Sequence, residues 1–242
     1  MAAFSPDFFS RENYLFFAFV DTIKSIRSRL RHGLERAVDE KQYLHGDDLL
    51  FDHIDIAMKL IRTILKGDYR NHENEERLML DDRHSVDLSF ASSGQMESLW
   101  IIQIIFLAIL DRKPEVIFVE EPEAHLFPEA QKDVVALMAL FLSAVPGNQI
   151  VVTTHSPYIL SAINNLLFAH GVGRKRPGEV AEVVDPKLWL DPKRVAAYFV
   201  ENGGIRRIMD DELGMIQAEE IDSVSRIINA EFDRLFELEH AE

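Results

Sequence analysis

Two carboxylates at neighbouring positions, Glu120 and Glu121, directly follow the apolar run Val116-Ile117-Phe118-Val119. A single imidazole, His155, follows a second such run, Ile150-Val151-Val152, by way of Thr153 and Thr154. Adjacent acids at the end of a buried strand are costly unless a cation or a proton is shared between them, and all-oxygen ligation favours magnesium. One carboxylate can hold the ion, directly or through water, while the other orients or deprotonates an attacking water. A histidine on the same rim can hydrogen-bond developing phosphate charge. A third group, Ser92-Ser93-Gly94-Gln95, precedes a strongly apolar helical stretch and offers helix-start N–H groups to an anion.

These residues must be positioned by strands and helices that converge on one edge. Short apolar runs of this kind are typical of strands covered on both faces of a parallel sheet. Pro128 stands where a first helical residue belongs, and Pro146 and Gly147 close the segment, so the order strand, helix, strand predicts a right-handed parallel crossover. In open parallel sheets ligands bind beyond the carboxyl ends of the strands, where both polar clusters fall.

Upstream, residues 14–66 show Leu15, Phe16, Phe19, Ile23, Ile26, Leu30 and Leu34 at helical intervals. A break at His45, Gly46, Asp47 and Asp48 predicts a helical hairpin whose second arm is capped by Asp47 or Asp48 and stopped by Gly67. Residues 77–80 and 86–90 read as edge strands. Residues 195–200 and 204–209 form a hairpin across Asn202-Gly203, and Ile221, Val224, Ile227, Ile228, Phe232 and Leu235 mark an amphipathic terminal helix. The domain expectation is a helical lobe over 1–67, a core over 68–170, and a hairpin with helices over 171–242.

Composition narrows the chemistry. The 242 residues hold no cysteine, which excludes thiol nucleophiles, thiolate zinc and disulfides. The net charge of −15 argues against a general nucleic-acid coating role, although Lys24, Arg27, Arg29, Arg31 and Arg36, and Arg174, Lys175 and Arg176, form local basic stretches. No apolar run reaches the ~20 residues of a membrane span and no secretory signal opens the chain, so the expectation is a cytoplasmic protein without a membrane partner.

Taken together, the motifs resemble those of ABC-type ATPases: Ser92-Ser93-Gly94-Gln95 their signature, the strand ending in Glu120 and Glu121 their Walker B, and Thr154-His155-Ser156-Pro157 their switch-histidine loop. The wording Glu-Glu-Pro-Glu-Ala-His-Leu-Phe-Pro is similar to the soluble branch related to chromosome-maintenance and recombination-repair ATPases and to the overcoming-lysogenisation-defect proteins. The resemblance spans residues 88–160. It implies an α/β fold: a partial ATPase head with a mainly parallel sheet flanked by helices, preceded by a helical hairpin.

By position, the resemblance makes Glu120 the magnesium site, Glu121 the catalytic carboxylate and His155 the contact to the terminal phosphate. Ser92, Ser93, Gly94 and Gln95 would bind ATP held by an opposite head. The implied cofactors are ATP and Mg²⁺, and the implied partner is a second head in a homo- or heterodimer. A phosphate loop of the form Gly-x-x-x-x-Gly-Lys-Ser/Thr is missing from the sequence. The expectation is therefore a C-terminal portion that begins inside the helical lobe and takes its phosphate loop from another chain or from a missing N-terminal segment. The resemblance points to a nucleotide-driven switch in DNA repair or anti-phage defence, with DNA or an effector nuclease as a further partner. The residues beyond Gly171 read as a hairpin plus helices rather than an acidic nuclease module, so intrinsic nuclease activity is not expected of them. The competing readings are an inactive head serving as an interaction module, a nucleotide-independent metal hydrolase, and a transporter ATPase subunit.

Overall fold

The computed structural model describes residues 11–45, 50–72, 75–217 and 223–240. The fold is mixed α/β and divides into two compact units, Met1–Arg112 and Lys113–Glu242.

In the first unit, α1 (Arg11–Arg29), α2 (Gly33–His45) and α3 (Phe51–Leu65) replace the expected two-helix hairpin. Gly33 turns at φ +87°, a conformation open to glycine, and its N–H closes on the Leu30 carbonyl at 2.9 Å. Leu30 and Leu34 are both buried across this break, so their four-residue spacing mimics one continuous helix.

Of the expected capping residues, Asp47 and Asp48 lie outside the described residues. Leu50 occupies the position before α3 and makes no side-chain cap. Nor is Gly67 the terminator. Lys66 takes the left-handed conformation, and the Gly67 N–H bonds to the Arg62 carbonyl at 3.1 Å. Gly67 has a different reason to be small: a Cβ there would stand 2.8 Å from the Met79 carbonyl oxygen of the neighbouring strand.

That strand belongs to an antiparallel meander, β1 (Asp68–His72), β2 (Glu75–Met79) and β3 (Ser85–Asp87), in register Tyr69 to Leu78 and Leu78 to Val86. β1 was not expected from its polar sequence. Its Tyr69 is buried and donates to Glu76 Oε1 at 2.6 Å; burial first, then Glu76, raises the phenol above its ordinary range.

α4 (Ser93–Asp111) is long and apolar enough to cross a membrane by length and composition, contrary to the expectation of no such run, but 61% of that stretch is buried, as in a core helix. At its end Asp111 accepts two 2.7 Å bonds from Arg29 and one of 2.9 Å from Lys41. Burial pushes the Asp111 carboxyl up, but these bonds outweigh it and hold the group below the usual carboxylate range. A carboxyl depressed in the folded state stabilises fully above the unfolded pKa of about 3.9, and that contribution disappears as pH falls through the folded value. Asp111→Asn should therefore lower the urea midpoint at pH 7, with the gap to wild type closing below about pH 4. A gap that persists undiminished in acid would show that the ion pairs contribute nothing.

In the second unit, β4 (Val116–Glu120) and β5 (Gln149–Thr153) pair in parallel, with Glu120 opposite Thr153, and are joined through α5 (Pro128–Ala144). The flanking helices and the Pro128 helix start match expectation. The strands are not covered on both faces, however. Ile117 and Val119 are buried, whereas Val116, Phe118 and Val151 are exposed, Phe118 at 75%. A two-stranded sheet has one helix-covered face here and leaves the alternate side chains uncovered.

α6 (Pro157–Gly173) packs beside α5 and is followed by α7 (Pro177–Ala181). The predicted hairpin is present as β6 (Tyr198–Glu201) and β7 (Gly204–Arg207), with Asn202 and Gly203 both at positive φ as a tight turn requires. A pair of two-residue strands, β8 (Met209–Asp210) and β9 (Met215–Ile216), joins α6 in a small core of Leu160, Leu167, Ile208, Met209 and Ile216. Asn164 fastens it, donating to the Ile216 carbonyl at 2.8 Å and accepting from the Ile216 N–H at 2.7 Å. The terminal amphipathic helix is α8 (Ser223–Glu239), on which Ile227, Ile228, Phe232 and Leu235 are exposed.

Candidate ATPase site

The carboxyl ends of β4 and β5 lie side by side, and the Glu121 N–H donates to the Thr153 carbonyl at 2.9 Å just past the last strand pair. Glu121 has φ +46°, rare for a residue with a side chain. The chain then makes two successive turns, Ala124 N–H to Glu121 O and Leu126 N–H to Glu123 O, both 2.9 Å, with His125 also left-handed. This tight path leaves Glu121 exposed at the rim and sends Glu123 inward.

Glu121 and His155, two of the residues expected to carry chemistry, are brought together. His155 Nδ1 stands 3.6 Å from Glu121 Oε1, and the two side chains are 59% and 74% accessible. That distance is an electrostatic contact rather than a hydrogen bond. Glu120 ends β4 on the exposed side, next to Glu121. Ser92, Ser93, Gly94 and Gln95 lie in the first unit, at the start of α4. There Ser92 and Gln95 form a capping box. The Ser92 Oγ accepts from the Gln95 N–H at 3.3 Å, the Gln95 Oε1 accepts from the Ser92 N–H at 3.0 Å, and Gln95 Nε2 donates to the Leu65 carbonyl at 2.7 Å. Ser93 is exposed and Gly94 is buried.

Sequence reasoning gave no role to the buried network beneath the rim. Glu123 Oε1 accepts from the Thr154 hydroxyl at 2.7 Å and from the His155 backbone N–H at 2.9 Å. Ser156 donates to Gln131 Oε1 at 2.6 Å, and Gln131 Nε2 donates to the Leu126 carbonyl at 2.9 Å. The Ser156 Oγ also caps α6, accepting from the Tyr158 and Ile159 N–H groups. Glu123, Gln131 and Ser156 are all buried, so the acidic turn, the first turn of α5 and the histidine loop are held by polar bonds in a low-dielectric setting, with Glu123 Oε2, alone of its two carboxylate oxygens, left without a partner.

A family model described as an AAA ATPase domain matches residues 18–160, more than half of the chain. The chain belongs to that family. Among curated proteins none matches it. The matched span runs from α1 to the start of α6 and so covers Ser92–Gln95, Glu120, Glu121, Glu123 and His155. Membership of the AAA ATPase domain family gives nucleotide binding and ATP hydrolysis as the chemistry to be explained, with ATP and Mg²⁺ as the implied ligands.

The residues of this AAA ATPase domain fit part of that requirement. Among the described residues no three His, Asp or Glu side chains converge into a closed metal centre. Magnesium is usually held by one or two carboxylates together with phosphate oxygens and water. The oxygen donors Glu120 and Glu121 at the strand ends are of the required type. The sequence lacks the Gly-x-x-x-x-Gly-Lys-Ser/Thr pattern of a phosphate loop.

Proposed function

We propose that the chain is the C-terminal portion of an ABC-type ATPase head, of the soluble branch its motifs resemble, working in the cytoplasm as a nucleotide-driven switch. The observation that carries this reading is the meeting of Glu121 and His155, 3.6 Å apart at the ends of adjacent parallel strands. In this assignment Glu120 holds Mg²⁺, Glu121 orients the attacking water and accepts its proton, and His155 contacts the terminal phosphate. Ser92, Ser93, Gly94 and Gln95 present the N-terminus of α4 to nucleotide held by a second head, where backbone N–H groups and the helix dipole favour an anion. Mg-ATP, when bound, supplies the scissile phosphoanhydride and the metal's positive charge.

The phosphate loop comes from another polypeptide or from a segment outside these 242 residues. ATP binding closes the two heads and hydrolysis reopens them. The output belongs to DNA repair or anti-phage defence, through DNA or an effector nuclease. Calorimetric titration of the isolated chain with Mg-ATP should show only feeble binding and almost no hydrolysis. Micromolar affinity would remove the need for an external cradle.

A second reading, an inactive head acting as a protein-interaction module, is favoured by one observation: the apolar face of α8, including Phe232, Leu235 and Phe236, is exposed. Full turnover by an assembled head would exclude it.

A further inference from the structure

The least explained group in the second unit is the carboxylate of Glu123. Its side chain is only 5% accessible. Oε1 already accepts from the Thr154 hydroxyl and the His155 N–H, while Oε2 is buried with no hydrogen-bond partner. A buried carboxylate oxygen without a donor is expensive, so the group has acceptor capacity in reserve. The imidazole of His155 is at hand: its Nδ1 stands 3.5 Å from Glu123 Oε1, in this geometry an electrostatic contact like the one to Glu121, on the same carboxylate whose Oε2 has no donor. Glu121 Oε1 is nearly as close at 3.6 Å, but its side chain is open to water, which weakens its hold on the ring.

We infer that Glu123 is the positioning residue for His155: it fixes the backbone of the histidine loop and takes the imidazole Nδ1–H, so that Nε2 is the ring atom turned toward a ligand. A buried acceptor at one ring nitrogen selects the tautomer and the ring orientation, and the other nitrogen is left for chemistry. The arrangement has mechanical support, because the turn carrying Glu123 and the loop carrying His155 are tied again by Ser156 and Gln131. That Nε2 faces a phosphate rests on the function proposed above; the Glu123–His155 pairing does not.

The test is the tautomer itself, read by long-range ¹H–¹⁵N correlation on the full chain about two pH units above the ordinary histidine pKa of ~6.5, with no nucleotide present. His155 is assigned by the signal lost in His155→Asn. Free imidazole side chains favour the Nε2–H form, so the expected result is an Nδ1–H tautomer at His155. Glu121→Gln should leave it unchanged, and Glu123→Ala should return it to Nε2–H. An Nε2–H form in the wild type overturns the inference even where Glu123→Ala fails to fold. So does a switch caused by Glu121→Gln, which would make the exposed acid the partner. An Nδ1–H form in a chain whose assembled head never binds ATP keeps the pairing and removes the nucleotide reading.

Discussion

Glu121→Gln in the complete, phosphate-loop-bearing ATPase should slow ATP turnover by about 10²–10⁴-fold, the usual contribution of a positioned general base, while nucleotide-dependent association of the heads persists. The substitution keeps the size of the side chain. It also keeps the 2.9 Å bond from its backbone N–H to Thr153, because that bond does not involve the carboxyl. What it removes is the acceptor that would take a proton from water. Phosphate release at saturating ATP measures the first effect, and size-exclusion chromatography with and without ATP measures the second. The combination of lost turnover and retained association separates a catalytic carboxylate, acting as a base, from a structural one. Unchanged turnover would take Glu121 out of the assigned role.

The second large effect concerns the frame beneath that rim. Phe141→Ala should destabilise the protein by about 3–5 kcal/mol, as expected for deleting a fully buried aromatic ring. Phe141 has no accessible surface, and its carbonyl accepts from Asn148 Nδ2 at 2.6 Å, just before β5 begins. Small domains retain only about 5–15 kcal/mol in total, so most of the margin is at stake. Urea unfolding should show a lower midpoint with an unchanged slope. A loss under about 1 kcal/mol would mean that the α5 core is not packed as described.

The crossover that carries the site was legible because its signals are local: apolar runs ended by acids or by Thr-Thr-His, and a proline at the first position of α5. The one-sided cover of β4 and β5 was not legible. Whether Phe118 faces a helix or solvent depends on how many layers pack on the sheet, which no stretch of ten residues encodes. β1, Asp-Tyr-Arg-Asn-His, is a strand because β2 pairs with it, and its own composition argues for a loop. The Gly33 break was hidden by the Leu30 and Leu34 spacing. At the site, Glu120, Glu121 and Glu123 are the same residue type within four positions. Only the left-handed turns at Glu121 and His125 decide that the third of them is buried. The pairing of Glu121 with His155 followed from strand order, whereas the Glu123, Gln131 and Ser156 network needed three-dimensional placement.

The positive φ at Glu121 sets a conflict between robustness and chemistry. A left-handed residue with a Cβ costs about 1 kcal/mol or more, a penalty that glycine avoids and asparagine tolerates well. A library selected only for heat resistance would thus be drawn toward Gly or Asn at position 121, and its most durable members would have surrendered the carboxylate. On the role proposed for Glu121, improvement of this fold by directed evolution has to screen for hydrolysis at every round, because survival alone rewards losing that carboxylate.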